Sequence, residues 1–253
     1  MEDTKAFSSS IRPVTTIASH RFKKPTLEQQ SATIFECLAS FDINKLINIL
    51  TKIELEESLD IVKLMDDGGH TLIHKAAYDN TYRISDYLIQ FYKQRYAKYL
   101  RLKVHEQRKI PETQQLEPEV LNNIKREVRK AVAVWINTQS NSDEGFYPLH
   151  FASFHGNVKL IKLLVKNGAD IWVKNKQGIN MLHVAAQGDQ AYSLTYFIKK
   201  GIKKDSTDDE HSTPLHWACF AGSDTAIYYL QSWGARVNSQ DNVGNTPLHL
   251  AVR

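Results

Sequence analysis

The sequence predicts an all-α solenoid of stacked helix–turn–helix units with short β-turn tips and one inserted helical arm. Four copies of a short motif after residue 146 lead to this fold class: YPLHFA, NMLHVA, TPLHWA and TPLHLA. Their histidines lie 33 residues apart, at His150, His183, His216 and His249. An apolar segment and a glycine follow the first three copies at the same period, with the glycines at Gly168, Gly201 and Gly234. A fixed period of this length indicates similar units that bury a continuous core by stacking.

The chemistry of the motif positions predicts two short helices in each unit. Thr213 can cap a helix, and Pro214 presets φ for its first turn, where the missing N–H costs nothing. Small side chains such as Ala218 allow the inner helix of the next unit to approach closely. Residues 158–165 carry an apolar face wide enough for neighbours on both sides. Gly168 then supplies the left-handed residue that ends this second helix.

The motif, its period and the remainder of each unit together resemble the ankyrin-repeat family. The resemblance is carried by TPLHWACFAG and NTPLHLAV, and by a degenerate copy around His74 in which Leu72 replaces the proline. It implies that the motif histidines hydrogen-bond to backbone at the turns and tie the repeats together. It also implies that the chain is a protein–protein interaction scaffold without chemistry of its own.

From the N-terminus onward, we expect five segments. Residues 1–26 mix serine, threonine and charge without periodicity, which is typical of a disordered tail. Residues 27–65 have the apolar spacing of two helices but lack the motif, as a degenerate capping repeat does. Residues 66–91 form a better repeat, and residues 139–253 contain further repeats, of which the last is truncated.

An inserted arm explains why the period breaks between His74 and His150. These histidines are 76 residues apart, which is 43 more than one period. The glycine that should end the second helix is due at Tyr92, so this helix need not stop there. Another helix is expected to begin near Pro118 and to carry an apolar face as far as Ile136. We therefore predict that residues 92–138 form two long helices beside the stack and separable from it.

The predicted arm also carries the excess positive charge of the chain. Between Tyr92 and Thr138 there are eleven lysines or arginines and five glutamates, against a net charge of +4 for the whole protein. Such a surface can meet anionic lipid, an acidic protein or nucleic acid. The simpler explanation is the solvated side of two amphipathic helices. Nucleic acid is the least expected partner, since no reader motif or aromatic and basic platform occurs in the sequence.

Composition places the chain among globular proteins and shows no secretion signal. Hydrophobic residues make up 42% and charged residues 24%. Cys37 and Cys219 fall in predicted inner helices, where a buried thiol is expected rather than a disulfide. The longest wholly apolar run, residues 131–136, is far shorter than the roughly 18 residues of a membrane span. We expect a cytoplasmic location, or the cytoplasmic side of a membrane within a longer protein.

The ten histidines and two cysteines form no catalytic pattern in the sequence. The motif histidines would stack one helix spacing apart, roughly 8–10 Å, whereas ligands of a shared metal lie about 2 Å from it. No CxxC pair, phosphate-binding glycine loop or GxSxG turn occurs. We expect no catalytic residue, metal, cofactor or small-molecule substrate, and we leave open whether a longer protein containing this chain is an enzyme.

The expected binding surface lies on the repeat tips and on the exposed side of the inner helices, where the ankyrin family usually holds its partners. Exposed apolar residues with an acidic rim suggest a peptide or protein partner. We expect Phe154, Trp217 and Phe220 to be the side chains that anchor the partner, although Trp217 also suits a core position. Gln187 and Gly188, in the repeat between those of Phe154 and Phe220, are expected to leave a shallow gap. The full set of expected contact residues is Phe146, Phe154, His155, Ile179, Gln187, Asp209, Glu210, Trp217 and Phe220.

A second, narrower resemblance is to the ankyrin portion that precedes the membrane domain of DHHC-type palmitoyltransferases. The run TPLHWACFAG, preceded by INMLHVAAQGD, carries this resemblance. It implies that the chain recruits substrate proteins for such an enzyme and that Trp217 contacts them. The DHHC motif and the membrane helices do not occur here, and the last motif stops within a first helix, so we expect a longer protein. An adaptor that docks on anionic membrane through the arm is a further alternative.

Overall fold

The computed structural model describes residues 26–252, which contain twelve α-helices and one 3₁₀ helix, Glu57–Lys63. No β-strand occurs in these residues, where an isolated bridge pairs Met65 with Thr71. The predicted all-α fold class is confirmed. The α-helices are α1 Leu27–Ala39, α2 Ile43–Lys52, α3 Leu72–Tyr78, α4 Tyr82–Arg108, α5 Pro118–Ile136, α6 Pro148–Phe154, α7 Val158–Lys166, α8 Met181–Gln187, α9 Ala191–Lys199, α10 Pro214–Ala221, α11 Asp224–Ser232 and α12 Pro247–Ala251.

The expected disordered tail, apart from its last residue, lies outside the described residues. That last residue, Thr26, is the N-cap of α1 and belongs to the folded part. Its Oγ1 accepts a hydrogen bond from the Gln29 N–H at 3.3 Å, and the Gln29 side chain accepts the Thr26 N–H at 3.0 Å. This reciprocal pair satisfies two backbone donors at the start of the helix.

Inner and outer helices alternate along the stack. The inner helices α3, α6, α8, α10 and α12 pack side by side in chain order, and α4, α7, α9 and α11 follow them as outer helices. An alanine two places after each of four motif histidines has no exposed surface: Ala76, Ala152, Ala185 and Ala218. A methyl group at these points lets successive inner helices pack closely.

The motif histidines join each inner helix to the next repeat. In four repeats, Nδ1 accepts the backbone N–H of the residue three places earlier, at 3.0–3.2 Å. Since Nδ1 is an acceptor, the ring proton is on Nε2, which donates to a carbonyl of the following repeat. These donations run from His74 to Phe146 O, His150 to Ile179 O, His183 to Ser212 O and His216 to Asn245 O, at 3.0–3.1 Å.

Burial keeps the rings of three motif histidines neutral. The pKa of His74, of His150 and of His183 is lowered to about 4, chiefly because the ring is removed from water. A protonated ring would also lose the lone pair with which Nδ1 accepts the N–H of the helix cap. The bonds between repeats therefore depend on uncharged histidine.

The tips that connect successive repeats form a second line of contacts. At three tips, the side-chain Oδ1 of Asn175, Asp208 or Asp241 accepts two backbone N–H groups of its own turn, at 2.8–3.1 Å. Neighbouring tips are joined by backbone bonds of 3.0 Å, from Lys176 N to Glu144 O, Asp209 N to Gln177 O and Asn242 N to Glu210 O. The tips are thus held in register with the histidine bonds.

The inserted arm is fused with the core of the stack. Helix α4 runs without a break for 27 residues, through the position of the missing glycine, and α5 packs along it. Trp135 of α5 is 2% exposed and meets the ring of Tyr92, with centroids 5.4 Å apart. Counted back from His150, Trp135 occupies the place that Gly168 takes before His183. Because this side chain fills the core, the end of α5 packs as part of the stack, and the separability of the arm stays a prediction.

Two further sequence expectations concern thiols and membrane spans. Cys37 and Cys219 are free and buried, and burial raises the pKa of both thiols. Within the described residues, no helix combines the length and the apolar character needed to cross a bilayer.

Leu164 tests the packing between repeats. Its side chain has no exposed surface and lies in the common core, so Leu164→Ala should lower the free energy of unfolding by about 2–5 kcal/mol. Urea denaturation followed by helical circular dichroism measures this change. Lys159→Ala, at an exposed position of the same helix, should stay within about 0.5 kcal/mol of the parent. Equal midpoints for the two variants would contradict the assigned packing.

The histidine bonds make stability depend on pH. Between the unfolded pKa of 6.5 and the folded pKa of about 4, the unfolded chain binds more protons than the folded chain at His74, His150 and His183. Stability is therefore complete above the upper value and falls as the pH falls through this window, by up to about 1.4 kcal/mol per pH unit for each histidine. Urea midpoints measured from about pH 7 to about pH 5 should decrease.

A substitution separates this effect from general acid sensitivity. Glutamine can donate a hydrogen bond from its side chain but does not titrate. His183→Gln should therefore lower, by about one, the number of protons that the chain takes up on unfolding, and so reduce the slope of stability against pH. A midpoint that is constant over the window, or a slope that the substitution leaves unchanged, would contradict the role assigned to neutral histidine.

Candidate partner-binding groove

The exposed side of the inner helices is built from two positions in each repeat. One position follows the motif histidine directly, and the other lies four places after it. Because three residues make nearly one helical turn, the two side chains lie on the same face. The first position is occupied by Phe151, Val184, Trp217 and Leu250, and the second by Tyr78, Phe154, Gln187 and Phe220.

These side chains form two adjoining recesses, which we call together the groove. The first recess has a volume of about 350 Å³ and is lined by Tyr78, Phe146, His150, Phe151, Phe154, His155, Val184 and Gln187. The second has a volume of about 370 Å³ and is lined by Gln187, Asp208, Glu210, Ser212, His216, Trp217, Phe220 and Leu250. Gln187 lines both, so the two recesses meet at this side chain.

The first recess is an aromatic cluster. The ring of Phe151 lies between those of Tyr78 and Phe146, with centroid distances of 5.5 and 5.8 Å. Phe154 meets His155 edge to face at 5.4 Å. The interlocked rings fix one another's orientation, and Phe154 still exposes 39% of its surface to an incoming group.

The second recess is organised by a buried carboxylate. Asp208 is 7% exposed, and its Oδ2 accepts the indole N–H of Trp217 at 2.8 Å. Its Oδ1 accepts the backbone N–H groups of Glu210 and Ser212 at 3.1 and 2.8 Å. One side chain therefore ties the half-buried Trp217 to the repeat tip. Phe220, which is 68% exposed, stands at the open side of this recess.

The residues that line the two recesses differ in charge. Asp209 and Glu210 are exposed beside the second recess. No residue that lines the first recess carries a carboxylate, and Lys75, which pairs with Asp79 at 2.9 Å, lies 5.1 Å from the centre of the Tyr78 ring. The exposed carboxylate of Glu210 therefore lines the second recess, and none lines the first.

A family model described as ankyrin repeats, with three copies, matches residues 122–208 and 182–253, together more than half of the chain. The chain belongs to the ankyrin-repeat family. Ankyrin repeats are protein-interaction modules, and this function at the general level is supported for the chain. The family match does not extend to the repeats before residue 122, which the structure places in the same stack.

Several curated relatives of this ankyrin-repeat chain are similar over part of their length. The zebrafish Notch-regulated ankyrin repeat-containing protein A is 44% identical over 64 residues, which are 25% of this chain and 57% of that protein. The human Notch-regulated ankyrin repeat-containing protein is 44% identical over 64 residues, which are 25% of this chain and 56% of that protein. Human protein phosphatase 1 regulatory subunit 27 is 32% identical over 99 residues, 37% of this chain and 64% of that protein.

The similarity to these ankyrin relatives covers part of their length. The chain spans a little over half the length of the Notch-regulated proteins, 56–57%. Their names give no support to the narrower resemblance to palmitoyltransferases. The relatives indicate an interaction protein, and they leave its partner to be inferred from the groove.

Most of the expected contact residues line the groove of the ankyrin stack, with two exceptions. Asp209 lies on the neighbouring rim, outside both recesses. Ile179 is 2% exposed, so the prediction that it forms part of the exposed surface is wrong. Its backbone N–H donates to Asn175 Oδ1 at 2.8 Å and its carbonyl accepts from His150, which holds the residue inside the tip.

Sequence reasoning missed some residues of the groove, and a signal existed for most of them. Tyr78 follows His74 by four places, as Phe154 follows His150, so the period alone identifies it. The same rule, applied one place after the histidine, finds Phe151, Val184 and Leu250. Asp208 recurs at the same period as Asn175 and Asp241, but its bond to the Trp217 indole, nine residues away, has no signal in the sequence.

The motif histidines of the ankyrin stack are committed to the bonds between repeats. Among residues 26–252, no group of three or more histidine, cysteine, aspartate or glutamate side chains is placed to hold a metal ion.

The bond between Trp217 and Asp208 gives a prediction about stability. Trp217→Phe removes the donor and leaves the buried Asp208 Oδ2 without this partner, so it should cost about 1–3 kcal/mol in unfolding free energy. Thermal denaturation measures the effect. Trp172→Phe, at a position that is 60% exposed, is the matched control and should change little. If both substitutions shift the melting temperature equally, the bond does not stabilise the tip.

Proposed function

We propose that this ankyrin-repeat chain binds an extended segment of a protein partner in the groove. Two bulky apolar side chains of that segment occupy the two recesses, and a basic side chain lies beside Glu210. The observation that carries this proposal is the pair of adjoining recesses with exposed aromatic walls, one of them acidic at its rim.

Exposed aromatic residues support an interface at this place. Tyr78, Phe154 and Phe220 expose 56%, 39% and 68% of their surface, all at the same position of their repeats. Contiguous exposed apolar surface is unusual in a soluble protein unless a partner covers it. Large aromatic side chains in concave, water-excluding places also supply most of the energy of protein interfaces.

The spacing of the recesses favours an extended occupant. Phe154 and Phe220 belong to α6 and α10, which are two inner helices apart. At about 8–10 Å between packed helices, the two anchors are roughly 16–20 Å from each other. An extended chain advances about 3.3 Å per residue, so this distance corresponds to roughly five or six residues of the partner.

The charge of the rim gives the occupant a direction. Glu210 lines the second recess, whereas no residue that lines the first carries a carboxylate. A basic residue near the second anchor gains a favourable contact, and an acidic residue there is repelled. Similarity to protein phosphatase 1 regulatory subunit 27 makes protein phosphatase 1 one protein to include in binding assays.

Selection of peptides from a random library displayed on phage tests the proposal. We expect enriched peptides to share two bulky apolar residues about five or six places apart, with lysine or arginine near one of them. Phe154→Ala and Phe220→Ala should each weaken binding of a selected peptide by about 1–2 kcal/mol with little change in melting temperature. Fluorescence anisotropy with a labelled peptide measures the affinities.

Two further variants make the test specific. Tyr192→Ala removes an aromatic ring that is 82% exposed on the outer helix α9, and it should leave the affinity unchanged. Glu210→Lys should reverse the preference for a basic residue near the second anchor. Selected peptides that bind the two phenylalanine variants as well as the parent would show that the groove is not the binding site.

A further inference from the structure

A second concave surface lies between the outer helices α4 and α7 and the inserted helix α5. Two adjoining recesses of about 630 and 550 Å³ form it, and they share Lys93, Lys166 and Asn167. None of their lining residues lines the groove. We call this surface the basic cleft, after its six cationic side chains: Lys93, Arg129, Lys130, Lys159, Lys162 and Lys166.

Most of this positive charge has no counter-charge. Asp86 is the one carboxylate that lines the basic cleft. Glu127 pairs with Lys130 at 3.0 Å and neutralises that side chain. In the described part of the chain, none of the five other cations forms an ion pair: Lys93, Arg129, Lys159, Lys162 and Lys166.

The arrangement of these cations is unfavourable for an isolated chain. Lys159, Lys162 and Lys166 lie three and four residues apart on one face of α7, where like charges destabilise a helix. Lys93 of α4 approaches the end of that row, and its ammonium donates a hydrogen bond to Asn167 Oδ1. Burial lowers the pKa of Lys93, and the neighbouring charge of Lys166 lowers it further. A bound anion would relieve the repulsion among these groups.

The walls of the basic cleft are held in place before any ligand binds. Asn137, at the end of α5, donates to the Gly168 carbonyl at 2.7 Å and accepts the Asp170 N–H at 2.8 Å. Gly168 has φ +100°, and a Cβ there would lie 2.7 Å from that of Ala133. The end of α7 therefore meets α5 at a distance that only glycine permits. A rigid frame of this kind lowers the entropy lost when a ligand binds.

We propose that the basic cleft binds a compact, multiply phosphorylated ligand of the inositol phosphate class, either free or as the head group of a phosphoinositide. Lysine ammonium groups and an arginine guanidinium are the side chains that bind phosphate oxygens best. Cations contributed by three helices around one recess can contact several phosphates of a single small ligand.

The shape of the basic cleft favours this ligand over other polyanions. Lys93 is half-buried, so a flat bilayer surface cannot reach it, whereas a protruding head group can enter the recess. Tyr82 is the one aromatic side chain among the lining residues, which leaves no platform on which successive nucleic acid bases could stack. The recess also lacks the paired aromatic pockets that the groove offers to a peptide.

Isothermal titration with myo-inositol hexakisphosphate at physiological salt tests the proposal on the full chain. The double variant Lys162→Ala/Lys166→Ala should bind at least about tenfold more weakly, since each lysine supplies a charged contact to phosphate. The matched control is Lys98→Ala/Arg101→Ala, which removes the same charge from exposed positions of α4 outside the cleft. It should bind as the parent does. Circular dichroism melting curves show whether each variant is folded.

Vesicle sedimentation distinguishes the two sources of the phosphates. Binding to phosphatidylcholine vesicles that contain phosphatidylinositol bisphosphate, and not to phosphatidylserine vesicles of equal charge, indicates a lipid head group. Binding of the soluble probe alone indicates a free ligand.

Four results would overturn the proposal. They are no binding of the probe, equal weakening by the control pair, equal binding to phosphatidylserine vesicles, and tighter binding of polyglutamate than of the probe. Phe220→Ala should bind the probe normally, so the result does not depend on the function proposed for the groove.

Discussion

The hydrogen bond from a motif histidine to a carbonyl of the next repeat is the interaction on which the structure depends. The rings of His74, His150, His183 and His216 are buried, so both nitrogens of each ring must find partners within the protein. Nδ1 accepts the backbone N–H of the residue that caps its own helix, and Nε2 donates to a backbone carbonyl in the next repeat. One side chain therefore sets both the start of a helix and the position of the neighbouring repeat. Stacking in one direction follows from this connection.

The same interaction explains how the fold tolerates an insertion. His74 donates to Phe146, 72 residues further along the chain, in the manner of His150 and Ile179, which are 29 residues apart. Closing a longer loop costs little extra entropy because the cost rises only with the logarithm of length. Trp135 then occupies the place of the usual glycine and buries the end of α5 in the core. The basic cleft exists because α5 is anchored there, next to α7.

The scaffold and the proposed binding groove use different positions of the same repeat. Four motif histidines and the alanines two places after them are buried, whereas the residues one and four places after each histidine differ from repeat to repeat. Variation there gives an aromatic recess around Phe151 and a recess with an acidic rim beside Trp217. Asp208 links the two kinds of position, since it holds the tip and orients the indole at once. The lining of the groove can therefore differ from repeat to repeat while the stack is kept.

The sequence by itself determined the repeat period, the all-α fold, the helix caps and most of the groove, because these depend on residues that are close in the chain or recur at a fixed interval. Only the tertiary structure decided that Ile179 is buried, that Trp135 packs against Tyr92, and that Lys93 approaches the lysines of α7. These outcomes depend on side chains brought together across long separations in sequence. No local pattern records them, since the stacking of repeats and the anchoring of the insertion determine which side chains meet.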